Sequence, residues 1–151
     1  MLLENYKEIL TPLLLKSGSK AQIKLEGHHP ESRLAGGKYS LSTHTITLYI
    51  EEIKEQCIQI FGSIANLDLY IAVVFAHELG HAEDRALGIL AERLEMATTE
   101  TERARLSFLI EKRAWNYAER LLQGTDRKFT KKIIFQSLRH YYEQIELQHG
   151  A

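Results

Sequence analysis

The segment LYIAVVFAHELGHAED, residues 69–84, constrains this chain more than any other. From Leu69 to Ala76 it is apolar on nearly every side of a helix, so it offers water no polar stripe and has to lie in a core. Its end then carries His77, Glu78 and His81 into that core. Ionisable groups need partners there, because burying them unpaired is expensive. Gly80 adds a second constraint. Glycine inside a helix costs about 1 kcal/mol against alanine unless another element must approach closely at that point.

Four residues of helix bring His77 and His81 onto one face, about one turn apart. Neutral imidazole nitrogen binds zinc at about 2.0–2.1 Å, and a catalytic zinc site needs three protein ligands with the fourth position left to water. Glu78, beside His77, is placed to take a proton from a water whose pKa the metal has lowered. A chain with 7 histidines can reach this spacing by accident. Context decides: a solvated helix with stray histidines would not follow such an apolar run.

The third ligand must come from elsewhere. A histidine six residues beyond His81 would mark the metzincin pattern, but Leu87 stands there and Asp84 replaces its glycine. The remaining candidates include Glu83, Glu92, Glu95, Glu102, Glu111 and Glu119. Helical phase over residues 101–123 gives an inward seam of Ala104, Ser107, Glu111, Ala114, Ala118 and Leu121, with Lys112, Asn116, Glu119 and Gln123 on the polar side. Glu111 is the acid on that seam and is the expected third ligand. The alternative is a buried Glu111 paired with Arg or Lys.

The rest of the chain reads as strands followed by helices. Residues 2–16 have helical spacing, with Pro12 expected to break or kink the helix near Thr11. Residues 21–26 alternate as a strand, 27–37 form a loop rich in breakers, and 38–50 are a hairpin or one long strand in which Ile46, Leu48 and Ile50 share the buried face. Helices are expected near 51–61, 66–83, 85–97, 101–123 and 129–147, with Asn66 as N-cap of the second. No linker, repeat or low-complexity segment interrupts residues 1–151, and 44% hydrophobic residues suffice for one core. The expectation is a single α+β domain, a small antiparallel or mixed sheet packed against a mainly helical C-terminal part.

HELGH followed by a helix reading EKRAWNYAERLL resembles the ImmA/IrrE-type zinc metallopeptidases, small gluzincin-like zincins. Their later helix carries Glu, then Ala three residues on, then aromatic-Ala and paired leucines. Glu111, Ala114, Tyr117, Ala118, Leu121 and Leu122 match that run, and the upstream GGKYSLSTHTITLYI extends the resemblance to about residues 36–122. The chain departs from the pattern at Trp115, where Asn or Asp is common, and lacks the Met-Pro often found after the leucines. The resemblance implies a zincin fold, a cytoplasmic endopeptidase, and a protein substrate such as a repressor-like regulator.

Several other residues could contribute to the chemistry or the core. Tyr39, His140 and Tyr141 could each donate to the oxyanion of a hydrolysis. His28, His29 and His44 read as solvated loop residues, Cys57 as a small core residue, and the run from Ile133 to Ile145 as the inner face of the last helix. With 19 basic and 20 acidic side chains, a broad cationic surface for nucleic acid is not expected. A lone cysteine excludes an internal disulfide and suits a reducing compartment, and MLLENYKEIL lacks the unbroken apolar stretch of a secretory signal. Two readings compete with a peptidase. One is a catalytically silent, zinc-stabilised regulatory or protein-binding module. The other is a metal-free helical interaction module whose histidines are satisfied core groups.

Overall fold

The computed structural model describes residues 2–30 and 36–150, so part of the loop predicted at 27–37 lies outside the described residues. The element order is α1 (Leu2–Ser17), β1 (Gln22–Glu26), β2 (Gly37–Ser40), β3 (Thr45–Tyr49), α2 (Ile50–Phe61), α3 (Leu67–Ala82), α4 (Leu87–Met96), α5 (Glu100–Leu121) and α6 (Arg127–Gly150). The fold is α+β, with a three-stranded mixed sheet in the order β1-β3-β2. β3 pairs parallel to β1 and antiparallel to β2, with Gly37 opposite Leu48 and Tyr39 opposite Ile46.

The predicted 38–50 segment is a hairpin, and its second strand is the centre of the sheet. The expected alternation of Ile46, Leu48 and Ile50 is therefore incomplete. Thr47 and Tyr49 are buried too, because a central strand is covered on both faces, and Ile50 already begins α2.

α3 is the axis of the molecule, packed against α1, α2, α5, β2 and β3. Ile71, Val73, Phe75, Ala76 and Leu79 are fully or almost fully buried, as an all-round apolar helix requires. Asn66 occupies the N-cap position as expected but makes no side-chain capping bond. Thr99 does cap its helix, accepting from the Glu102 amide at 3.1 Å. One expectation fails outright: α1 runs through Pro12 without a break. A proline there removes one backbone bond, and the burial of Leu10, with Leu13 and Leu14 packed on the same core, holds the helix together around it. Among the described residues no helix is long and apolar enough to cross a membrane.

Candidate metal centre

α5 crosses α3 at Gly80. A Cβ there would stand 2.8 Å from Ala114 Cα and overlap its carbonyl oxygen, so the two backbones touch where the sequence predicted a close approach. One turn before Ala114, Glu111 meets both histidines. His77 Nε2 lies 3.0 Å from Glu111 Oε1, and His81 Nε2 lies 3.2 Å from Oε2. The acid on the predicted seam is thus the one that meets both histidines, and among the described residues its ion-pair partners are these imidazoles and no Arg or Lys.

Two carboxylates approach the imidazole pair, and geometry separates them. Glu78 Oε2 sits 3.0 Å from Nδ1 of His77, the other ring nitrogen. Glu111 spans the two Nε2 atoms. Burial by itself would lower the His77 pKa, but the charges of Glu78 and Glu111 and the hydrogen bonds to them raise it to about 10. Burial would likewise raise Glu111, yet His77 and His81 hold it well below the usual carboxylate range.

These donor types could hold a metal ion. Two imidazole nitrogens and one carboxylate are the ligand types of a His₂Glu catalytic site. The two Nε2 atoms each lie within 3.2 Å of a Glu111 carboxylate oxygen, so the three side chains converge on one region. His77, Glu78 and His81 also offer ligand atoms within 4.8 Å of one another, with Glu78 meeting Nδ1 of His77 where Glu111 meets Nε2. That contact matches the carboxylate that orients a ligating histidine through its free nitrogen.

Three features were not legible from the motif. Gly37 lies against Glu78: a Cβ there would come within 2.8 Å of Glu78 Cγ and 3.0 Å of Oε2, so the second glycine of the pair that reads as a loop breaker is a seat for the Glu78 carboxyl. Trp115 stacks on His77, ring centroids 4.2 Å apart at 25°. Asp84, at the end of the motif helix, accepts two bonds of 2.8 Å from Arg113 and a third of 2.9 Å from the Ala86 amide.

That last arrangement ties α5 to α3 next to Glu111. We expect Asp84→Ala to cost about 2 kcal/mol in urea unfolding, since it removes a fork of charge-assisted bonds together with a turn cap. Arg113→Ala should cost less, because the guanidinium side is 45% exposed. Equal and negligible losses for both would show that the Gly80 crossing alone sets the helix pair.

Two cavities meet at the cluster, of about 330 and 420 Å³, and share Gly37, His77, Glu78, Glu111 and Tyr141. The first is lined by Gln56, Ile60, Val74, Trp115 and Ile133, the second by His29, Lys38, Tyr39, Leu87 and Ile110. A separate cavity at the α5–α6 turn, with Arg120, Arg127 and Lys131, has none of these groups.

Of the three candidate oxyanion donors, Tyr141 lines both cavities. Tyr39 lines one, with its hydroxyl 2.7 Å from His44 Nδ1, and the exposed His140 lines neither. His28 and His29 are not simply solvated. The buried Glu52 accepts from the His29 amide at 3.2 Å and lies 3.1 Å from His28 Nδ1, while the His29 ring packs on Tyr49. Burying Glu52 in α2 forces the loop to supply its partners. His44 is likewise engaged, by Tyr39, with a left-handed φ of 49° at the hairpin turn. Cys57 is fully buried, as expected. The inner face of α6 holds for Ile133, Ile134 and Leu138 but not for Tyr142, which is 45% exposed because the helix end outruns the core.

No family model matches this chain, and no curated protein or solved structure matches it either.

Proposed function

We propose that this chain is a zinc-dependent endopeptidase of the ImmA/IrrE zincin type, acting on a protein substrate such as a repressor-like regulator. His77, His81 and Glu111 hold the metal in this reading, and Glu78 is the base. The observation that supports it most is the convergence of two Nε2 atoms on the two oxygens of Glu111, at 3.0 and 3.2 Å, where two cavities meet.

Zinc bound there supplies a Lewis acid that polarises a water and the scissile carbonyl. The chain's own groups do the rest. Glu78 takes the proton at its carboxylate and returns it to the nitrogen of the leaving amine. Its seat against Gly37 fixes where that carboxylate points. β2, at the edge of the sheet with Gly37, Lys38 and Tyr39 on the cavities, offers unpaired backbone to an extended peptide. Cavities on both sides of the ligands accommodate chain continuing in both directions, which favours internal cleavage over trimming of an end. Tyr141 is the donor best placed for the developing oxyanion.

One observation favours a second reading. The Glu78 carboxyl bonds to His77 Nδ1, as an orienting residue of a purely structural zinc site would. A zinc-stabilised protein-binding module would look like this.

The metal itself comes first in any test. Purified protein should carry about one zinc per chain, and His77→Ala or His81→Ala should lose it, since two remaining ligands hold zinc poorly. Glu111→Gln should lose most of it, while Glu102→Gln and Glu119→Gln keep it. Full zinc content in all five variants, measured by elemental analysis, would sink this ligand assignment, whereas a parent protein without zinc would leave the metal-free helical module as the better reading.

A further inference from the structure

Histidine's ring torsion is broad and roughly two-fold, so an imidazole that must aim one nitrogen needs outside contacts to hold its plane. In His77 the two ring nitrogens have carboxylate partners, Glu78 at Nδ1 and Glu111 at Nε2, both at 3.0 Å. These bonds fix the direction of the edges. They resist tilting of the plane less well, because hydrogen bonds tolerate a range of approach angles. The face of the ring is covered by Trp115, which is 3% exposed and lies one helical turn after Glu111 on α5. One helix therefore presents both the carboxylate that meets the His77 edge and the indole that covers its face.

We propose that Trp115 is a positioning residue for the metal centre, its indole holding the His77 imidazole in the plane that directs Nε2 at the ion shared with His81 and Glu111. The proposal rests on the metal reading given above. It follows from the geometry of the donor: the Nε2 lone pair lies in the ring plane, so a tilt of the ring carries the lone pair off the ion even when the nitrogen hardly moves. A flat ring at 115 should serve. An aliphatic side chain of similar bulk should fill the space without controlling the plane.

Trp115 is the single tryptophan of the sequence, which makes it an internal reporter. Metal-stripped full-length protein is titrated with Zn²⁺ while indole emission is followed. Zinc affinities of the parent, Trp115→Phe, Trp115→Leu and Leu10→Ala proteins are measured by competition with a chelating dye. Co²⁺ absorption of each reports ligand geometry.

The parent emission should change saturably at about one zinc per chain. Trp115→Phe should keep the parent affinity and cobalt spectrum. Trp115→Leu should bind zinc about 10- to 100-fold more weakly, the usual range for loss of a group that orients a metal ligand, with an altered cobalt spectrum. Leu10→Ala, a core truncation that lines neither cavity, measures what lost stability alone does to affinity and should leave it unchanged.

Parent-like affinity and spectrum in Trp115→Leu would overturn the positioning role while leaving the zinc site intact. Stoichiometric zinc binding by the parent with no change in emission would overturn it as well. If Trp115→Leu does not fold, a weakened Trp115→Phe protein that still folds overturns it, and a parent-like one with a responsive parent emission supports it. A parent protein that takes up no zinc defeats the metal reading itself, and the positioning role with it.

Discussion

Gly80→Ala should destabilise the protein by about 2 kcal/mol, although helix propensity taken alone predicts the opposite sign. Alanine is favoured over glycine in a helix interior by about 1 kcal/mol. Against this, the added methyl would overlap the Ala114 carbonyl oxygen and stand 2.8 and 3.0 Å from Ala114 Cα and C. Those are backbone atoms of a buried helix, so no side chain can swing aside. Either α5 shifts or the methyl remains compressed, and overpacking of that kind costs about 1–3 kcal/mol, sometimes more. Gly80→Val should be worse. Gly88, in the first turn of α4, provides the control: a Cβ there meets nothing within 4 Å, so Gly88→Ala should be neutral or stabilise by up to about 1 kcal/mol. Urea unfolding of the three variants gives the comparison. A Gly80→Ala protein as stable as Gly88→Ala would mean that α3 and α5 do not cross so closely. The shift should also reach the site, because Glu111 sits one turn from Ala114.

The same crossing explains what could be read from the sequence and what could not. A glycine inside an apolar helix announced a close neighbour, and the phase of residues 101–123 identified Glu111 as the acid facing it. Both inferences needed only one helix at a time. Gly37 carried no such signal. Its role depends on β2 passing over Glu78, 41 positions away by number, and a glycine before a strand reads as a breaker whatever lies above it. Trp115 was hidden for a related reason. It stands one residue past the predicted seam, and α5 buries both Ala114 and Trp115 because it packs against α3 and α6 at once. Asp84 shows in the sequence only as the residue that replaces a metzincin glycine, whereas its carboxylate holds Arg113. Pro12 failed in the opposite direction, since a local rule was overridden by the packing of Leu10. Local pattern thus identified the elements and the faces that carry His77, His81 and Glu111, and contacts between elements decided the residues packed around them.

Glu78→Gln should lower peptide-bond hydrolysis by about 10²–10⁴-fold, the range that general acid–base catalysis contributes, while zinc content and unfolding midpoint stay near those of the parent. The structure gives reasons for both halves. Glutamine has the size of glutamate, so it still fits against Gly37, and its carbonyl oxygen can still accept from His77 Nδ1. The proposed ligands His77, His81 and Glu111 are untouched. What glutamine cannot do is take up a proton at that position and return it to the leaving amine. Glu78→Ala makes a useful contrast, because it leaves His77 Nδ1 without its partner and should weaken zinc binding as well. The assay is a library of proteome-derived peptides incubated with zinc-loaded parent or Glu78→Gln protein, with new amino termini counted by mass spectrometry. Cleavages made by the parent and absent with Glu78→Gln at equal zinc content would support the peptidase and supply its sequence preference. If the zinc-loaded parent makes no cut that Glu78→Gln does not also make, the peptidase reading fails. Zinc retained in both proteins would then favour the structural module, in which Glu78 serves only to orient His77.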